Sequence, residues 1–244
     1  MRSVAPLLLL AAVAAAIVAD AADDGEYAAR RRAMIAEIKV DVVATAEMLK
    51  RESLDARVWA ALERVPRHEF VPPEEQAVAY ENRPVSIGHG QTISQPYIVA
   101  IMTDLLNLRA GARVLEVGTG SGYQAAVLAE LGCRVFSIEI IEPLHAEARE
   151  RLSRLGFDGI RLRHGDGYYG WKEEAPFDGI LVTAAAGQIP PPLLVQLAPG
   201  GRMIIPVGSS FFVQDLVIVD KTKTGELRTR QVLPVSFVPL TGAH

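Results

Sequence analysis

After Gly111 the chain alternates short β-branched runs with helical segments, and no other feature constrains its fold as strongly. Residues 113–117, 134–138, 160–164, 179–183 and 202–207 read as strands. Residues 124–131, 143–155 and 191–197 have the spacing and length of helices. This rhythm implies right-handed βαβ crossovers and therefore an α/β, Rossmann-like fold, with a mainly parallel sheet and helices on both faces. The end of the chain breaks the pattern. Residues 213–219 and 228–237, on either side of a turn at 221–225, read as a closing antiparallel hairpin.

The residues ahead of this core have a different texture. From 27 to 63 apolar side chains recur at helical spacing (Met34, Ile35, Ile38, Val42, Val43, Met48, Leu49, Val58, Leu62), and Pro66 closes the second helix. Residues 67–96 hold Pro72, Pro73, Pro84, Gly88, Gly90 and Pro96. So many breakers in a hydrophobic chain point to an ordered functional loop. A helix over 97–106 follows. The expected organisation is a helical and loop-rich region at 27–106 and a core at 107–244, which suits one compact domain for 244 residues.

The first residues look like a targeting segment. Arg2 precedes an apolar run over 4–19, and Ala19, Asp20 and Ala21 give the small-x-small pattern of a cleavage site. Residues 1–21 are therefore expected to be a signal peptide, which places the mature protein in the periplasm or outside the cell. The alternative is an uncleaved membrane anchor, because Arg30, Arg31 and Arg32 lie close behind. Membrane contact is expected only in that case.

A net charge of -4 gives no basic footprint for neutralising phosphates, so no nucleic-acid partner is expected. Cys133 is the only cysteine. It leaves no internal disulfide and no cysteine-built metal site, and no metal is expected.

Chemistry concentrates first at residues 114–131, VLEVGTGSGYQAAVLAEL, a strand running into a glycine-rich turn and a helix. Gly118, Gly120 and Gly122 let the backbone turn sharply and approach a ligand at the carboxyl edge of the strand. Dinucleotide folds want a third glycine where Tyr123 stands, and Glu116 would repel a pyrophosphate. S-adenosylmethionine carries an ammonium and a sulfonium, which an acidic loop attracts. Glu139 ends the next strand about twenty residues on, where a carboxylate can accept bonds from both ribose hydroxyls or simply end the strand. Asp166 and Gly167, after the third strand, fit either an adenine contact or an ordinary Asp-Gly turn.

Several segments, in order, resemble the protein-L-isoaspartate O-methyltransferase family: RVPRHEFVP (64–72), PVSIGHGQTISQPYIVAIMTDLL, VLEVGTGSGYQ, HGDGYYGW, APFDGILVTAA, LAPGGRMIIPVG and the late FVPL. The stretch GHGQTISQP, residues 88–96, is the most diagnostic of these. The resemblance implies methyl transfer from S-adenosylmethionine to isoaspartyl residues of proteins and peptides, with Ser94 as the active-site serine. It also implies that Thr92, Gln95 and Pro96 belong to the substrate loop, and that Val238, Pro239 and Leu240 line the peptide cleft. A plain terminal strand is the other reading of those last three.

No triad is expected around Ser94. The acceptor carboxylate is already ionised near neutral pH and can attack the methyl carbon directly, so the serine needs only to hydrogen-bond it. Two rival functions remain at this stage: a small-molecule carboxyl methyltransferase on the same fold, and a non-catalytic binding module.

Overall fold

The computed structural model describes residues 5–209 and 212–243, with side chains from residue 25 onward. Helix α1 (Ala5–Ala44) turns Met34, Ile35, Ile38 and Val42 into the core, the three- and four-residue spacing of one buried stripe. Each contributes about 1.5–3 kcal/mol of burial. Tyr27 stacks on His68 at 3.8 Å, and Arg31 donates to the Glu63 carbonyl (2.7 Å) and to the Tyr80 hydroxyl (3.0 Å), so polar contacts fasten the same helix. The leader expected at residues 1–21 concerns side chains that lie outside the described ones.

A short α2 (Ala46–Leu49) ends at Lys50 in the left-handed conformation, with φ 59°. Asp55 then caps α3 (Ala56–Arg64) by accepting from the Arg57 N–H at 2.8 Å. Extended Val65, restricted by Pro66, stops it.

Within residues 67–96, read from sequence as loop, the structure holds an antiparallel hairpin of β1 (Val85–Gly88) and β2 (Gln91–Ile93). Gly88, His89 and Gly90 all take positive φ (83°, 52° and 70°) to make its turn. Strands of four and three residues are too short for an alternating pattern to show. Helix α4 (Pro96–Leu105) opens on proline at its first position, where the missing N–H costs nothing.

The central sheet is built from β3 (Arg113–Val117), β4 (Arg134–Glu139), β5 (Arg161–His164), β6 (Phe177–Val182), β7 (Leu197–Val207), β8 (Gln214–Lys221) and β9 (Leu227–Val235). Helices α5 (Tyr123–Glu130), α6 (Glu142–Arg154) and α7 (Pro191–Gln196) make the crossovers. The strand order is β5-β4-β3-β6-β7-β8-β9. Pairs from β5 to β7 are parallel, and β8 and β9 close the sheet as an antiparallel hairpin. The fold is thus the α/β, Rossmann-like one. The chain leaves β3 toward β4 and β5, then returns to the other side for β6 and β7. That reversal puts a crevice beyond the carboxyl ends of β3, β4 and β6, the place where such sheets hold ligands.

Candidate active site

A cleft opens at the switch point. Its walls come from the loops after β3 (Val117 to Ser121), after β4 (Ile138 to Ile141) and after β6 (Thr183, Ala184), with Gly167 beneath β5. The substrate loop adds Thr92 and Ser94, and the tail adds Val238, Pro239 and Leu240.

Gly118 shows why the turn is glycine. Its φ is +97°, and a Cβ there would stand 2.5 Å from the Thr183 hydroxyl oxygen. That hydroxyl lies 2.7 Å from the Gly118 carbonyl oxygen and binds the turn to β6. Gly120 lines the cleft, whereas Gly122 lies outside it. The latter starts α5, and a side chain there would press on Leu152 of α6 at 3.1 Å.

The three acids occupy different places. Glu139 is on the wall and 5% exposed; one oxygen accepts from the Gly120 N–H (2.8 Å) and the other from the Ile141 N–H (2.9 Å). It therefore binds the first two loops together and keeps lone pairs for the cavity. Glu116 is not on the wall but behind it, fully buried. Ser137 donates to its Oε2, Thr119 on the wall adjoins Ser137 at 2.6 Å, and its Oε1 has no partner. Burial, with Glu139 nearby, pushes this carboxyl up to about 8 against the Ser137 hydrogen bond. The sequence reading gave Glu116 a charge facing the ligand. The structure corrects this, because a desolvated acid keeps its proton at neutral pH. Asp166 also lies off the wall, accepting from the Tyr168 N–H at 2.9 Å as the cap of a short turn. Its neighbour Gly167 reaches the cleft, packed so close to β3 that a Cβ would fall 2.4 Å from Val117.

A second cleft continues from the first. Thr92, Ser94, Thr183 and Val238 line both. Helix α1 supplies Asp41 and Ala44 to this second cleft, Thr45 between α1 and α2 adds a hydroxyl, and Gln95, Tyr97, Val213 and residues 233–237 supply others. Its near wall is cross-linked. Thr45 Oγ1 meets the Tyr97 hydroxyl at 2.6 Å, Asn82 donates to Asp41 at 2.6 Å, and the Tyr97 N–H donates to Asn82 at 3.1 Å. Pro96 lines neither cleft; it starts α4 and is buried. The tail is pinned beside β6, with the Ala185 N–H donating to Val238 and the Leu240 N–H donating to Ala185, both at 2.8 Å.

The Ser94 hydroxyl is engaged by no described residue and stands where the clefts meet. His89, its sequence neighbour, pairs instead with Glu147 of α6 at 3.5 Å, so no serine–histidine dyad forms. Sequence reasoning did not find Thr183 or Arg67. Thr183 had a signal, since it directly follows the buried strand β6 at the switch point. Arg67 is 0% exposed, donating to the Ala79 and Ser94 carbonyls at 2.7 Å each. It falls inside the RVPRHEFVP segment, but composition and periodicity alone do not distinguish it from an exposed arginine.

The profile of the family described as Protein-L-isoaspartate(D-aspartate) O-methyltransferase (PCMT) matches residues 41–244. A Syntrophobacter fumaroxidans protein named Protein-L-isoaspartate O-methyltransferase 2 is 63% identical over 238 residues, 98% of this chain and 96% of that protein. Protein-L-isoaspartate O-methyltransferase 1 of Cupriavidus necator is 54% identical over 243 residues, 100% of this chain and 94% of its own. Among solved structures, a protein-L-isoaspartate O-methyltransferase superposes with a TM-score of 0.72 at 29% identity, over 82% of this chain and 66% of that one. A Plasmodium falciparum beta-aspartate methyltransferase (PCMT), solved in complex with S-adenosyl-L-homocysteine, gives 0.68 at 26% identity, over 84% and 97%.

Proposed function

The chain belongs to the protein-L-isoaspartate(D-aspartate) O-methyltransferase family, and we propose that Ser94 aligns its acceptor while Glu139 and the loop after β3 hold its cofactor. The enzyme moves a methyl group from S-adenosylmethionine to the free carboxylate of L-isoaspartyl residues in damaged proteins and peptides.

The first cleft suits that cofactor. Its glycine turn admits a ligand to the backbone, Glu139 offers lone pairs for ribose hydroxyls, and Glu116 has a buried oxygen without a partner behind the wall. When bound, S-adenosylmethionine supplies an electrophilic methyl group on a positively charged sulfur. The residues of this chain do the rest by placement. Ser94 donates to the acceptor carboxylate, Thr92, Thr183 and Val238 enclose the junction, and the apolar second cleft takes the peptide on either side. Gln95 lines that second cleft, and Pro96 sets the direction of α4 behind the loop. Val238, Pro239 and Leu240 close the cavity from the tail side. Asp166 acts indirectly, by shaping the turn that presents Gly167. No side chain has to remove a proton, because the acceptor is already an anion. Catalysis is then alignment of oxygen, carbon and sulfur in a water-poor junction.

One observation carries this reading: Ser94 lies on the wall shared by the two clefts. In an isoaspartyl residue the main chain runs through the side chain, and the free carboxylate sits one methylene closer to the α-carbon than in aspartate. A rigid junction that fits the first isomer leaves the second out of line, and such misplacement costs about a hundredfold in rate. Methyl transfer to an isoaspartyl peptide should therefore exceed transfer to its aspartyl twin by at least about that factor. Ser94→Ala should lower turnover without weakening cofactor binding. Equal rates on the two isomers, or a covalent adduct trapped at Ser94, would overturn the reading.

The apolar run over 4–19 and the Ala19-Asp20-Ala21 site support export to the periplasm or beyond, with cleavage after Ala21. Among the described residues no helix is long and apolar enough to cross a membrane. An uncleaved leader would instead tether the enzyme. Intact-mass measurement on protein from the native host should find a chain beginning near Ala22; a full-length cytosolic species would rule cleavage out.

A further inference from the structure

Arg67 is the largest of the fully buried side chains, and it has no carboxylate partner. Its guanidinium donates to the Ala79 carbonyl and to the Ser94 carbonyl and lies 4.9 Å from the centre of the Tyr123 ring. Tyr123 is the first residue of α5 and lines the cofactor cleft. The guanidinium also interacts with the buried Tyr123 side chain, a neutral group that brings no counter-charge. Burial pushes the guanidinium down to about 10, so it stays charged at neutral pH.

A buried cation with no counter-anion among the described residues is among the most costly groups a fold can keep, and Arg67 lines neither cleft itself, reaching the junction through the Ser94 main chain. Two carbonyl contacts do not balance the charge, and a neutral amide side chain could make similar bonds more cheaply. What is missing is an anion, and the acceptor brings one to the side chain of the same serine whose carbonyl Arg67 holds. We propose that Arg67 is the positioning residue of the acceptor site: it clamps the main chain at Ser94 and supplies the positive charge that selects a carboxylate. The charge also distinguishes reactant from product. Methylation turns the carboxylate into a neutral ester, which the buried cation no longer attracts. Arg67 thus favours entry of the acid and departure of the ester.

This inference rests on the assignment of Ser94 to the acceptor, and the experiment separates the two. The probes are an isoaspartyl peptide and the same peptide with its free carboxylate replaced by a carboxamide. They are bound to enzyme loaded with S-adenosylhomocysteine, whose neutral sulfur leaves Arg67 as the buried cation beside the acceptor. The wild-type complex should prefer the carboxylate by about tenfold or more, as expected for a charge-assisted contact. R67Q should bring that preference close to unity. R67K, which keeps the charge but cannot bridge both carbonyls, should retain most of the preference while lowering kcat. A purely structural arginine would instead weaken both peptides equally in R67Q and leave the preference intact, which overturns the proposal. Equal binding of the two peptides to the wild-type complex overturns it too, and that arm needs no variant to fold. A failed Ser94 assignment shows separately, as unchanged turnover in S94A.

Discussion

Beneath the cofactor cleft lies a buried acid, and beneath the acceptor junction lies a buried base. Glu116 and Arg67 are both fully enclosed. Burial drives them in opposite directions, Glu116 up to about 8 and Arg67 down to about 10. Only the acid crosses neutrality. A carboxyl starts far below it and a guanidinium far above, so the same desolvation discharges one and leaves the other charged. The cofactor half thus holds a latent charge and the acceptor half a permanent one. Only the second is opposite in sign to its ligand at neutral pH; the first would become so if Glu116 lost its proton beneath the cationic cofactor.

The largest effect that tests this contrast is on stability. The folded-state value of Glu116 lies above its ordinary 4.5. The folded state therefore binds the extra proton, and the associated stability is present below about 4.5 and lost as pH rises through about 8. Glu116→Gln removes this dependence. Thermal or urea unfolding without cofactor should show the variant gaining on wild type by about 3–5 kcal/mol between pH 5 and 9. A constant difference across that range would mean that Glu116 is ionised in the resting fold and that the contrast with Arg67 fails.

A smaller effect separates the halves by ligand. Glu139→Ala should weaken cofactor binding by about 1.5–3 kcal/mol, the range for hydrogen bonds to a charged group. With the cofactor saturating, the KM for the isoaspartyl peptide should not move. Wild-type cofactor affinity in calorimetry would sink the ribose role. A shifted peptide KM would show that the halves are not independent.

The smallest effect lies on the cross-linked wall of the acceptor cleft. Thr45→Val removes the hydroxyl that meets Tyr97 at 2.6 Å and should cost about 0.5–1.5 kcal/mol of stability. Peptide KM should rise a few-fold while cofactor affinity holds. A loss of cofactor affinity instead would place the α1 contact on the wrong side of the comparison.

What could be read in the sequence divides along the same line. The cofactor half is local: strand, glycine turn and helix follow one another within residues 114–131, so spacing alone locates it, and Glu139 follows from the next strand. Burial of Glu116 had a signal too, because it interrupts the apolar run VLEV of a strand covered on both faces. The acceptor half is assembled from α1, residues 67–97, β6 and the tail, and two of its hydrogen bonds join residues more than 40 positions apart. No periodicity reports such contacts. Motif resemblance pointed to Ser94 and to Val238, Pro239 and Leu240. It was silent on Arg67, whose role depends on burial, and on the hairpin, whose strands are too short to alternate.

The tail bears on when the site can exist at all. Val238, Pro239 and Leu240 reach the cleft only because the backbone of Val238 and Leu240 pairs with Ala185. The glycine turn leaves the ribosome more than a hundred positions ahead of these residues. A nascent chain can fold the first strands of the sheet and still lack one side of its cavity until residues 238–240 have emerged. Closure of the cavity therefore waits for residues 238–240, and a chain cut before Val238 would lack that side of the junction.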